Sequence, residues 1–158
     1  MLKRLDEYYL NMPVREVFEL KELTPEEYAM FETAGVRMLF SEERMYHGRN
    51  ILFASAVCKT VIGTSEGMIY RIAAQTGSLE KEVCSTVFGL TYRFLSREMG
   101  PPGPGATEED CGWDSEEGNV ILEKARAGEA YLVQICLTSS LIRRRFQGHG
   151  SALNQDLS

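Results

Sequence analysis

The sequence predicts an α+β fold, a two-layer sandwich. An antiparallel sheet of two hairpins, at about 51–72 and 119–138, lies under a long helix at about 78–99. Three observations carry this expectation. Residues 51–62 and 68–72 are apolar, β-branched runs joined by Gly63-Thr64-Ser65-Glu66-Gly67, which reads as a hairpin. Residues 119–125 and 130–138 repeat the pattern across Arg126-Ala127-Gly128-Glu129, with Tyr131, Val133, Ile135 and Leu137 alternating with Leu132, Gln134, Cys136 and Thr138. Between the hairpins, Val83, Val87, Leu90 and Phe94 recur at four, three and four, the spacing of one helix face, with Cys84, Thr91 and Leu95 widening the stripe.

The chain has 158 residues, enough for one compact domain, expected over 1–146 with a flexible tail at 147–158. Taken in order, Val14–Leu23 alternates in part and reads as a first strand. Thr24-Pro25-Glu26-Glu27 is a helix start: Thr24 caps, Pro25 suits the first helical position and Glu27 completes a capping box. The helix expected near 24–34 carries Tyr28, Met30, Phe31 and Ala34 and ends at Gly35. Residues 36–40 read equally well as a strand or as a continuation of that helix.

In the long helix, Ser78 is the expected cap, and Glu80 and Glu82 lie at the positive end of the dipole. Gly100 with Pro101-Pro102 ends it. Gly89 costs about 1 kcal/mol against Ala in a helix interior, which predicts that it marks close packing on the sheet. Residues 100–118 follow as a long Pro/Gly and acidic loop around Trp113. That side chain is expected to fold over the end of the core, with a partner-binding anchor as the alternative.

Composition narrows the function classes. With 44% hydrophobic and 25% charged residues the chain is not disordered, collagen-like or a coiled-coil rod. Seventeen Lys+Arg against 23 Asp+Glu give a net charge of −6, which excludes a generally basic surface for nucleic acid. The acidity is local, because residues 101–119 hold six acids and no base. No apolar run approaches the ~20 residues of a membrane span, and no secretory signal is visible. Cys58, Cys84, Cys111 and Cys136 have no C-x-x-C spacing and sit mostly in apolar segments. They read as reduced core residues of a cytoplasmic protein.

Several motifs suggest chemistry and fail on context. Gly63-Thr64-Ser65-Glu66-Gly67 matches the G-x-S-x-G nucleophile elbow, with Asp114 and His149 following in order. That elbow needs a helix after the serine, and Met68–Ile72 reads as strand. The acids at 108–117 lack EF-hand spacing: counted from Asp110, position three is Gly112 and position twelve is Ile121. His47 and His149 have no helical partner ligand, so no metal and no cofactor is expected. Arg143-Arg144-Arg145 is the one basic cluster in sequence.

The order helix, strands, helix, two strands resembles the layout of secretion-chaperone domains and of other small helix-on-sheet binding modules. The likeness lies in topology alone, and such folds host unrelated functions. The expected function is a cytoplasmic protein-binding or accessory module, binding itself or another protein, with Trp113, Asp114 and Arg143–Arg145 as its surface. A small-molecule-binding protein or enzyme, with a pocket between helix 78–99 and the sheet and Tyr70, Arg71, Tyr92 and Arg93 as polar groups, is the alternative. Weak RNA binding through Arg143–Arg145 is a third, and no membrane partner is expected.

Overall fold

A computed structural model describes residues 2–17, 19–33 and 43–140. The segment 36–40, the helix end at Gly35, Arg143–Arg145, His149 and the tail 147–158 lie outside the described residues. The chain opens with a two-stranded hairpin, β1 (Arg4–Leu5) and β2 (Tyr8–Tyr9), then a 3-10 turn at Val14–Glu16 and β3 (Lys21–Glu22). The single strand expected over 14–23 is therefore not formed; Glu19 at φ 67° interrupts the extended run. Helix α1 (Pro25–Thr33) starts as expected. The Thr24 amide donates to Glu27 Oε1 at 3.0 Å, and the Glu27 amide donates to Thr24 Oγ1 at 3.2 Å.

Strands β4 (Arg44–His47), β5 (Ile51–Phe53), β6 (Ala56–Ser65) and β7 (Met68–Ser78) follow, then α2 (Lys81–Met99), β8 (Asp110–Ser115), β9 (Gly118–Ala127) and β10 (Ala130–Ser139). The expected α+β architecture is present: a large antiparallel sheet with one long helix against it. The sheet order is β3-β4-β6-β7-β10-β9-β8, with β5 pairing the first part of β6. After β7 the chain passes through α2 to the far edge and meanders back, so that β10 fills the place beside β7.

Three expectations need correction. The run 51–62 is broken at Ala54-Ser55, which take φ of 50° and 65° and turn β5 into β6. Helix α2 begins at Lys81, because Ser78 is the last residue of β7 and its hydroxyl accepts from the Glu80 amide at 3.0 Å. The loop is 100–109 and not 100–118: Asp110–Ser115 is an edge strand, and Glu116-Glu117 turns it into β9.

Cross-strand register sorts the side chains into two faces. One row reads Ile62, Ile72, Leu137, Val120, Trp113, and the next reads Thr60, Ala74, Ile135, Leu122, Cys111. All ten are buried. Cys84, Phe88 and Leu95 of α2 and Leu5, Tyr8 and Leu10 of the N-terminal hairpin close this core. Gly48 permits the Tyr8 approach, since a Cβ there would stand 2.4 Å from Thr60 Oγ1 and 2.7 Å from the Tyr8 hydroxyl. Tyr8 is thereby placed to accept a hydrogen bond from the Arg49 amide at 2.8 Å. Trp113 takes the expected core position, and its indole N–H donates to the Gly100 carbonyl at 2.9 Å.

The opposite face of the sheet is mixed. Its rows are Lys59, Gln75, Gln134, Glu123, Asp110, then Val61, Ala73, Cys136, Ile121, Gly112, then Gly63, Arg71, Thr138, Asn119, Asp114. Helix α1 covers one corner of it, where the Tyr28 hydroxyl accepts from the Met45 amide at 2.8 Å. Among the described residues no helix is long and apolar enough to cross a membrane.

Candidate functional site

Helix α2 carries two apolar stripes, and the sheet takes one of them. Cys84, Phe88, Thr91 and Leu95 are buried, spaced four, three and four. The sequence reading centred the core face on Val83, Val87, Leu90 and Phe94, with Cys84, Thr91 and Leu95 widening it; the central four have the same spacing as the buried set and are turned about 100° from it. Val83, Leu90 and Phe94 keep 44%, 39% and 38% of their surface exposed, and Val87 is half-buried. The structure thus buries the widening residues together with Phe88 and leaves the expected centre of the face at its margin. Spacing alone cannot choose between two parallel stripes. The buried one contains the smaller, partly polar Cys84 and Thr91, which let the helix approach the sheet. Their hydrogens are used locally, with Thr91 Oγ1 donating to the Val87 carbonyl at 2.8 Å and Cys84 Sγ to the Tyr131 carbonyl at 3.2 Å.

The outer stripe forms one wall of a groove of about 320 Å³, and the β5–β6 turn forms the other. Ala54 and Ser55 face Val83, Val87 and Leu90 across it. Phe53 stacks edge-on against Phe94, with ring centroids 5.7 Å apart, and fixes the turn against the helix. Glu82 borders the groove near the start of the helix, and Arg93 and Arg97 lie near its end, all exposed. None of the three joins an ion pair among the described residues. Gly89 also faces open space: a Cβ there would meet nothing within 4 Å, so the expected close contact with the sheet is absent.

No family model, curated protein or solved structure matches the chain.

Among the described residues, those named from sequence do not converge. Tyr70 and Arg71 lie on the sheet face away from α2, the guanidinium 5.2 Å from the ring centroid. Tyr70 is the extra residue of a β-bulge, since Gly63 pairs with Arg71 and Thr64 with Ile69. Burial, with the Glu43 carboxylate adding to it, pushes its phenol far above the usual range. Tyr92 is on α2 with its ring centroid 6.1 Å from that of buried Trp113, while Arg93 points to the outer flank. Asp114 is exposed on β8 and shares a row with Arg71, with two strands between them. These positions do not line one pocket between α2 and the sheet.

The nucleophile motif also resolves. Ser65 ends β6, Glu66-Gly67 turn at φ 53° and 76°, and β7 follows, a strand-turn-strand context with no helix after the serine. The Ser65 hydroxyl is buried. All four cysteines are free thiols. Burial pushes Cys58 and Cys136 up and Cys111, with Asp110 beside it, to about 11, so these thiols stay protonated and are poor nucleophiles at neutral pH. His47 Nε2 is bonded to the Glu27 carboxylate. Among the described residues no group of three or more His, Cys, Asp or Glu is arranged to hold a metal ion.

Proposed function

We propose that the protein is a cytoplasmic, non-catalytic binding module that works as a homodimer, with α2 of one copy packed antiparallel on α2 of the second. One observation carries this reading: the more apolar of the two stripes on α2 faces outward. An exposed, contiguous apolar stripe on an otherwise charged helix is characteristic of an association surface. A second copy is the occupant because the stripe is self-complementary. An antiparallel pair centred between residues 88 and 89 sets Val83 against Phe94 of the second copy and Val87 against its Leu90, small against large at every contact. The charges agree: the same arrangement brings Glu82 of one copy near Arg93 and Arg97 of the other. A parallel pair would instead place like charges together. Four reduced thiols suit the cytoplasm.

Sedimentation velocity over a concentration series tests this. The wild type is expected to dimerise, and Leu90→Glu to be monomeric with unchanged far-UV circular dichroism. Glu82→Arg is expected to weaken the dimer, and its combination with Arg93→Glu and Arg97→Glu to restore it. Because the seam is apolar, the dimer persists at high salt. Pairing of the acidic 108–117 stretch with Arg143–Arg145 across two copies would instead be screened away. A wild type that stays monomeric up to hundreds of micromolar would overturn the proposal. A monomer carrying a discrete small-molecule adduct in native mass spectrometry would replace it with the small-molecule reading.

A further inference from the structure

On the side of α2 turned away from the outer stripe, the first turn of the helix and the β9–β10 hairpin enclose a cleft of about 400 Å³. Lys81 from α2 and Lys124 and Arg126 from β9 line it, together with Ser85, Tyr131 and one carboxylate, Glu109. Their sequence positions give no hint of this, because Lys81 lies more than 40 residues from the other two. None of the three cations takes part in an ion pair among the described residues. Aromatic rings hold two of them instead. Lys124 Nζ lies 4.9 Å from the Phe88 centroid and donates to Ser85 Oγ at 3.5 Å, and the Arg126 guanidinium lies 4.8 Å from the Tyr131 centroid. A ring face fixes a cation without neutralising it. The cleft therefore keeps a surplus of two positive charges on a chain whose net charge is −6, where field lines concentrate between low-dielectric walls.

We infer that this cleft binds a small phosphomonoester. Three donors on two elements, one of them a guanidinium fork, suit the three terminal oxygens of a phosphate better than the two of a carboxylate. The surplus of two charges matches the dianion that a phosphomonoester becomes above its second pKa of about 6. The first turn of α2 adds to the pull, since Glu80 makes no side-chain cap to its amides. Tyr131 offers a ring on which the carbon portion of the ligand rests. The size of the cleft lies within the ~300–1,000 Å³ of small-molecule sites. This inference does not depend on the dimer, whose seam runs along another side of α2.

Isothermal titration at constant ionic strength, with inorganic phosphate, phenyl phosphate and a phosphoserine peptide as probes and acetate as control, tests it. Saturable phosphate binding that strengthens from pH 5 to pH 7 is expected, with acetate much weaker. Arg126→Gln, Lys124→Gln and Lys81→Gln should each weaken binding by about tenfold, while Lys59→Gln on the opposite sheet face changes nothing. Lys81 is exposed, so its variant folds even if loss of the Lys124–Phe88 contact disturbs the core. Phenyl phosphate binding tighter than the peptide identifies a free metabolite as the source, and the reverse order identifies a phosphorylated side chain; both support the site. Absence of saturable phosphate binding at millimolar concentration, or wild-type affinity in all three variants, would overturn it.

Discussion

Truncating one leucine from each stripe of α2 measures which stripe the fold depends on. Leu95 is fully buried, 0% exposed, in the main core cluster. Cutting it to Ala removes its transfer free energy and leaves a cavity that neighbouring strands cannot fill, because they are fixed by their own ladders. Such substitutions cost roughly 2–5 kcal/mol, and about 3 kcal/mol is expected here. Leu90 retains 39% of its surface in water and borders an open groove. Truncation there forfeits about three-fifths of a burial term of roughly 1.5–3 kcal/mol, partly retained by Ala, and leaves no sealed cavity. About 1 kcal/mol is expected. At about 2–4 °C per kcal/mol for a chain of this size, Leu95→Ala should lower the melting temperature by about 6–12 °C and Leu90→Ala by about 2–4 °C. Urea and thermal unfolding followed by circular dichroism, at a concentration low enough for the chain to be monomeric, give both values. Equal losses would refute the reasoning, since Leu90 would then be a core residue of the monomer and the outer stripe no free surface.

Three further outcomes are expected. Gly89→Ala should raise stability by about 1 kcal/mol, because the added methyl meets nothing within 4 Å; destabilisation in urea unfolding would show that the site is closed. The Ala54→Asn, Ser55→Gly pair should also stabilise, by about 1 kcal/mol or more, since both residues are held at positive φ in a turn that favours Asn-Gly; an unchanged urea midpoint would argue against that strain. The Glu27 carboxyl is held below its ordinary value of 4.5, first by the Thr24 amide and then by His47. Its folded value is depressed, so its contribution is complete above that ordinary value and is lost as pH falls through the folded one. The wild type should therefore be more stable than Glu27→Gln near neutrality, with the gap closing on acidification below pH 4.5; a gap constant down to pH 3 would contradict the capping role.

How much of this was legible in the sequence depended on whether local pattern or tertiary context decided each element. The long hairpins and the α1 capping box were legible because period-two alternation and the Thr24–Glu27 spacing act locally. The β5–β6 turn was not, because it is built from Ala54 and Ser55, with no Gly, Asn or Pro to mark it. Nor was β8, whose acids suggest a loop. It is a strand because Cys111 and Trp113 point into the core while Asp110, Gly112 and Asp114 alternate to the other face. The preceding loop seals that edge: the Gly103 amide donates to the Gly112 carbonyl and the Thr107 amide to the Asp110 carbonyl, both at 2.8 Å. Free strand edges invite pairing with other chains, so this closure argues against β8 as the place where a partner adds a strand.

The helix shows why the candidate site could not be read in advance. Both stripes of α2 satisfy the same four-three-four periodicity, and the outer one, with two valines, a leucine and a phenylalanine, is the more hydrophobic. Any ranking by apolarity would bury it. The sheet takes the other because approach decides: Cys84 and Thr91 are small, satisfy their own hydrogens on nearby carbonyls, and let Phe88 and Leu95 enter the buried core. Folding of one chain thus leaves part of its most apolar helical surface in water, at a cost of roughly 25 cal/mol for each Å² that association would cover. The proposed dimer would cover that surface. The displaced centre of the core face and the proposed dimer both follow from the same arrangement on α2.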